Sequence, residues 1–65
     1  MTLCEIVEEH GGQLAEFIEM KYIPLVCRML FKNTYTVETI PLHKYCARPV
    51  AMSFVEGNKI YFELS

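Results

Sequence analysis

The sequence contains no Asp and no Trp, and only three Gly, three Pro and three Cys in 65 residues. All eight acidic residues are Glu. Without Asp, and with most Glu placed as solvated helix positions, paired-carboxylate and Mg²⁺ chemistry have no foothold. There is no P-loop and no GxGxxG. There is no internal repeat, linker or low-complexity segment. The longest apolar stretch, 22–31, is broken by Pro24 and Arg28, far short of the ~20 residues a membrane helix needs. The first residues, MTLCEIVEEHGG, lack the basic region that opens a secretory signal. Three cysteines, an odd number, then read as reduced thiols, and the location as cytoplasmic.

The length allows one domain, 1–65, and excludes a TIM barrel, a two-domain enzyme or a complete nucleotide-binding fold. Leu, Ile, Val and Phe together supply 20 residues, enough to drive folding. A domain this small buries only ~60% of its unfolded surface. Apolar surface should therefore be left over.

The net charge of −2 conceals an asymmetry: residues 1–20 hold five Glu and no Lys or Arg, whereas 21–59 hold all six basic residues. A helix dipole favours Glu near a helix N-terminus, and the balance argues against a dedicated nucleic-acid binder.

Thr2-Leu3-Cys4-Glu5 fits the capping box, so a helix should begin at Leu3 and stop at Gly11-Gly12. Leu14, Ile18, Tyr22, Leu25 and Met29 recur at spacings of three and four, which predicts a helical arm over 13–32, kinked at Pro24. The alternative is a break at Ile23, with Pro24 as the first residue of a new helix. Residues 35–40 read as a strand. Residues 42–48 read as an irregular, solvated connection. The segments 50–55 and 60–64 read as a hairpin turning at Gly57-Asn58, with Val55 opposite Ile60, Ser53 opposite Phe62 and Ala51 opposite Leu64. The expected fold is therefore α+β: an N-terminal helical arm, kinked at Pro24, packed on a small antiparallel sheet of two or three strands ending in a β-hairpin.

The residues 6–12, Ile-Val-Glu-Glu-His-Gly-Gly, resemble a stretch near the end of the ATP-binding domain of sensor histidine kinases. The match covers seven residues. In that family a strand with an aromatic and a glycine-rich loop follow. Here 13–17 reads as the start of a helix, and the earlier nucleotide-binding boxes are absent.

Two chemical readings of the cysteines fail on partners. Zinc would use His43 and Cys46 as one close pair, but a second pair is missing. A Cys46–His43 nucleophile would need an orienting amide and an oxyanion hole, and no Gly lies near. No catalytic residue, metal or cofactor is expected.

The function expected is that of a small non-catalytic interaction or regulatory module, pairing as a homodimer and binding an unidentified protein. The expected contact residues are Val26, Leu30 and Phe31 on the apolar arc of the arm, with His43, Lys44, Tyr45 and Arg48 between two prolines. The alternative is a winged-helix-like DNA- or RNA-binding regulator using Lys21, Arg28, Lys32, Lys44 and Arg48. Its third helical segment, 25–32, would present mainly apolar side chains, which counts against it.

Overall fold

A computed structural model describes all 65 residues. Helix α1 spans Leu3–Glu9, strand β1 Glu16–Ile23 and strand β2 Arg28–Thr36. A short helix α2 (Leu42–Tyr45) and the hairpin β3 (Val50–Glu56) and β4 (Lys59–Leu64) follow. The strands form one mixed sheet in the order β2-β1-β4-β3, and β1 runs parallel to β4. The α+β class holds. The sheet has four strands rather than two or three, and it is not wholly antiparallel.

The capping box forms as its spacing demands. The Thr2 hydroxyl accepts from the Glu5 N–H (3.3 Å), and the Glu5 carboxylate accepts from the Thr2 N–H (3.1 Å). The second bond holds the Glu5 carboxyl below its usual pKa. The Leu3 and Cys4 N–H groups, unmet within any helix, donate to the carbonyls of Arg48 and Cys46. Gly11 and Gly12 then take positive φ (57° and 83°), which ends α1 and turns the chain into the sheet.

The helical arm over 13–32 does not form. Residues 16–23 and 28–36 are the paired strands β1 and β2. Their aromatic and β-branched content suits a pleated surface, and inter-strand pairing overrides the helical spacing. Pro24 separates them. Ile23 stays extended (φ −113°), as the residue before a proline prefers. Pro24–Val26 make a single 3₁₀ turn with Pro at its first position, so the break at Ile23 holds, but strands rather than helices lie on either side of it. Cys27 closes that turn in the left-handed conformation (φ 49°). The winged-helix alternative loses its recognition helix with the arm, since 25–32 is turn and strand.

The strand read at 35–40 ends at Thr36. Thr36 and Thr39 exchange side-chain and backbone hydrogen bonds, which close a turn in place of a ladder. The stretch read as irregular contains α2. The hairpin pairs as expected at Val55–Ile60, Ser53–Phe62, Phe54–Tyr61 and Met52–Glu63. A bulge at Ala51 places Val50, not Ala51, opposite Leu64.

The core lies between α1 and one sheet face. Leu3, Ile6, Leu14, Phe17, Ile40, Ile60 and Phe62 form it. Leu3, Ile60 and Phe62 have no exposed surface at all. α1 is too short to cover the opposite sheet face or the far end of β1–β2. β4 pairs with β1 only from Glu16 to Glu19, so the chain from Tyr22 to Leu30 extends beyond it as a two-stranded ribbon. At its tip Leu25 is 96% exposed.

The reading of three reduced thiols is corrected at two positions. Cys4 in α1 and Cys46 after α2 are joined as a disulfide, their Cα atoms 4.7 Å apart, within the range a disulfide bridges. Cys27 alone is free, and it is exposed. Cys46 is thereby removed from any pairing with His43 as a metal ligand or nucleophile. No helix is long and apolar enough to cross a membrane.

Candidate interaction surface and the Glu19 cluster

Glu19 is the one charged residue in the interior, 5% exposed. Alternation along β1 puts it on the same face as Phe17. The register shift opposite it inserts an extra residue in β2, so that both Lys32 and Asn33 reach it. Asn33 Nδ2 donates to Glu19 Oε1 (3.2 Å), and the Tyr35 and Tyr45 hydroxyls donate to the same oxygen (3.3 and 3.4 Å). Lys32 Nζ stands 3.7 Å from Oε2. A buried carboxylate needs such partners, since an unpaired one would be costly.

The cluster fastens α2 to the sheet. Tyr45 packs edge-on against Tyr35, with ring centroids 6.1 Å apart. The Arg48 guanidinium lies 6.0 Å from the Tyr45 ring centroid and donates to the Ser65 carbonyl (2.8 Å). Lys21, Lys32, Arg48, Glu19 and Glu63 surround a half-open polar cleft beside it. The Glu63 carboxylate accepts from the Tyr22 N–H (2.8 Å).

These groups are occupied with one another. Oε1 of Glu19 already takes three donors. The Tyr45 hydroxyl beside it, burial and the Glu19 charge all hold the Tyr35 phenol well above its ordinary pKa of 10.0. A raised phenol pKa stabilises the fold fully below pH ~10, and that contribution is lost as pH rises further, because the unfolded chain ionises first. In urea unfolding between pH 9 and 11, wild-type stability should therefore fall more steeply than that of Tyr35→Phe. Equal slopes would place Tyr35 outside the cluster.

The opposite sheet face has no helix over it. Alternation directs Ile18 and Met20 of β1, Tyr61 of β4, Met52 and Phe54 of β3 and Phe31 of β2 to this side. Phe54 stacks on Tyr61 (centroids 4.7 Å, interplanar angle 12°), and Phe31 approaches Tyr61 from the other flank at 6.3 Å. Ile18 and Met20 on this face are buried. The rings stay accessible: Phe31 is 70% exposed and Phe54 47%.

The contact residues expected from the sequence lie on two elements. Val26, Leu30 and Phe31 are exposed on the β1–β2 ribbon, although on strand and turn rather than on a helical arc. His43, Lys44 and Arg48 are exposed on and after α2. Tyr45 is half-buried, with its hydroxyl turned inward to Glu19. Sequence reasoning missed Phe54, Tyr61 and Met52 as surface residues. The signal was present in the hairpin, which is apolar on both faces.

The chain after Gly11-Gly12 enters a strand bearing Phe17, so one departure from the histidine-kinase stretch disappears. The likeness still rests on seven residues. No protein-family model matches the chain, and no curated protein and no solved structure is significantly similar to it.

Proposed function

We propose that this chain is a small non-catalytic interaction or regulatory module that pairs as a homodimer and binds a second protein. One observation carries the reading: an aromatic sheet face and an apolar ribbon tip stay in water, in a domain whose two short helices do not cover them. Soluble monomers rarely leave large contiguous apolar areas exposed. Val26, Leu30 and Phe31 on the ribbon, with His43, Lys44, Tyr45 and Arg48 around α2, are the contact residues of this reading. The mutual saturation of Glu19, Tyr35 and Tyr45 supports a structural role for the one buried charge.

The nucleic-acid alternative draws on the same rings, because aromatics on a sheet can stack bases. Charge counts against it. By alternation Glu16, Glu56 and Glu63 share that face with Lys59 alone, and Lys59 is paired with Glu16 at 3.7 Å. A phosphate backbone would meet net negative charge there.

For the compartment, the disulfide outweighs the cysteine count. Cytoplasmic reductants would open Cys4–Cys46, whereas an oxidising environment keeps it closed. We therefore place the working form in oxidising surroundings rather than in the cytoplasm.

Light scattering across a concentration series tests the central proposal. Twice the 7.6 kDa chain mass is expected at a few hundred micromolar. A single-chain mass throughout that range would overturn it.

A further inference from the structure

The sheet has two edges, and they are not alike. The β2 edge carries Arg28 and Lys32 and is distorted by the bulge opposite Glu19. Charges and bulges of this kind protect an edge from pairing. The β3 edge has its own bulge at Ala51, but from Met52 to Val55 it has no such protection. From Val50 to Val55 it carries no charge and no proline, and six of its seven residues are exposed. Only its start is covered, where Val50 N–H donates to the Met1 carbonyl (2.8 Å) and Thr2 bridges Pro49.

The hairpin register says which backbone groups remain free. A two-residue turn makes Glu56–Lys59 a bonded pair, and alternation makes Phe54–Tyr61 another. The N–H and C=O groups of Ser53 and Val55 therefore point away from β4. Neither residue makes a backbone bond elsewhere in the chain.

We propose that β3 pairs antiparallel with β3 of a second copy about a two-fold axis, making one continuous eight-stranded sheet. The inference rests on the homodimer reading and moves its contact from Val26, Leu30 and Phe31 to the β3 edge. The occupant follows from charge and symmetry. Glu56 ends the strand. Antiparallel pairing carries the Glu56 carboxylates of the two copies to opposite ends of the seam, while a two-fold axis makes the uncharged centre self-complementary. The Phe54–Tyr61 stack would continue across the seam, and the ribbon would stay free for the second protein.

The test uses hydrogen exchange on the wild-type disulfide-bonded chain, followed by three variants. The amides of Ser53 and Val55 should be protected about 100-fold more at dimer concentrations than on dilution. A chain made by chemical synthesis with Val55 N-methylated loses one outward donor and keeps its side chain. It should be monomeric with an unchanged circular dichroism spectrum. If it fails to fold, Ser53→Lys reads the same contact through repulsion across the axis. Phe31→Glu should remain dimeric. Unprotected Ser53 and Val55 amides in a dimer that Phe31→Glu dissociates would overturn this inference and leave the homodimer reading standing. A wild-type monomer throughout would overturn both.

Discussion

Reducing Cys4–Cys46 is expected to lower the stability of the fold by about 4 kcal/mol. The bond closes a loop with a sequence separation of 42 residues, and in the chain-entropy account a loop of that size confers about this much. Stability per residue in native domains is roughly 0.05–0.15 kcal/mol, so for a chain of this length the loss ranges from about 40% of the total to all of it. The linkage is also mechanical. α1 meets the rest of the chain through its Leu3, Ile6 and Val7 side chains, two backbone bonds to Arg48 and Cys46, and this disulfide. Reduced protein, or Cys46→Ser, should melt at least 15 °C lower, at roughly 4–8 °C per kcal/mol for a domain of this size. Cys27→Ser should melt near wild type, since that thiol is exposed and unpaired. Thermal circular dichroism with and without reductant measures both. A reduced form melting within a few degrees of the oxidised one would show that the bond contributes nothing to folding.

What could be read from the sequence was local. The capping box at Thr2–Glu5 and the turn at Gly57-Asn58 each act within a few residues, and both stand where the sequence places them. The segment after Gly12 was misleading for a physical reason. Met20 and Ile18 on one side of β1, and Phe17 and Glu19 on the other, are all buried. A strand buried on both faces loses its polar–apolar alternation, and the spacing of Leu14, Ile18, Tyr22, Leu25 and Met29 then mimics a helical stripe. Pro24 and the run of Phe, Tyr, Ile and Thr were the opposing signals. The parallel pairing of β1 with β4 joins residues more than 40 apart, and no local pattern records it. The same holds for Cys4 with Cys46 and for Glu19 with Tyr45. The leftover apolar surface was legible from length and composition, whereas its place on an open sheet face was not.

Phe62→Ala should bring the protein close to unfolding, while the same change at Phe31 or Phe54 should not. The four phenylalanines are indistinguishable by composition, and the sheet separates them. Phe62 is fully buried in β4, between Glu19 of β1 and Ser53 of β3, on the face that packs against α1. Removing a core Phe costs about 3–5 kcal/mol through lost transfer energy and the cavity left behind. At the low end of ~0.05–0.15 kcal/mol per residue, that equals the whole stability of a domain this short. Phe54 is half-exposed, so its loss forfeits chiefly the stacking on Tyr61, about 0.5–1.5 kcal/mol. Phe31, at 70% exposure, has less to lose in the monomer. Urea titrations of the three variants, with the disulfide intact, give the order directly: Phe62 far below Phe54, and Phe54 below Phe31. The titrations should be run below the concentration at which chains associate, since a dimer contact would add to the cost at Phe54. A Phe62→Ala variant as stable as Phe31→Ala would mean that β4 does not lie at the centre of the sheet, and the core assigned to α1 and this face would be wrong.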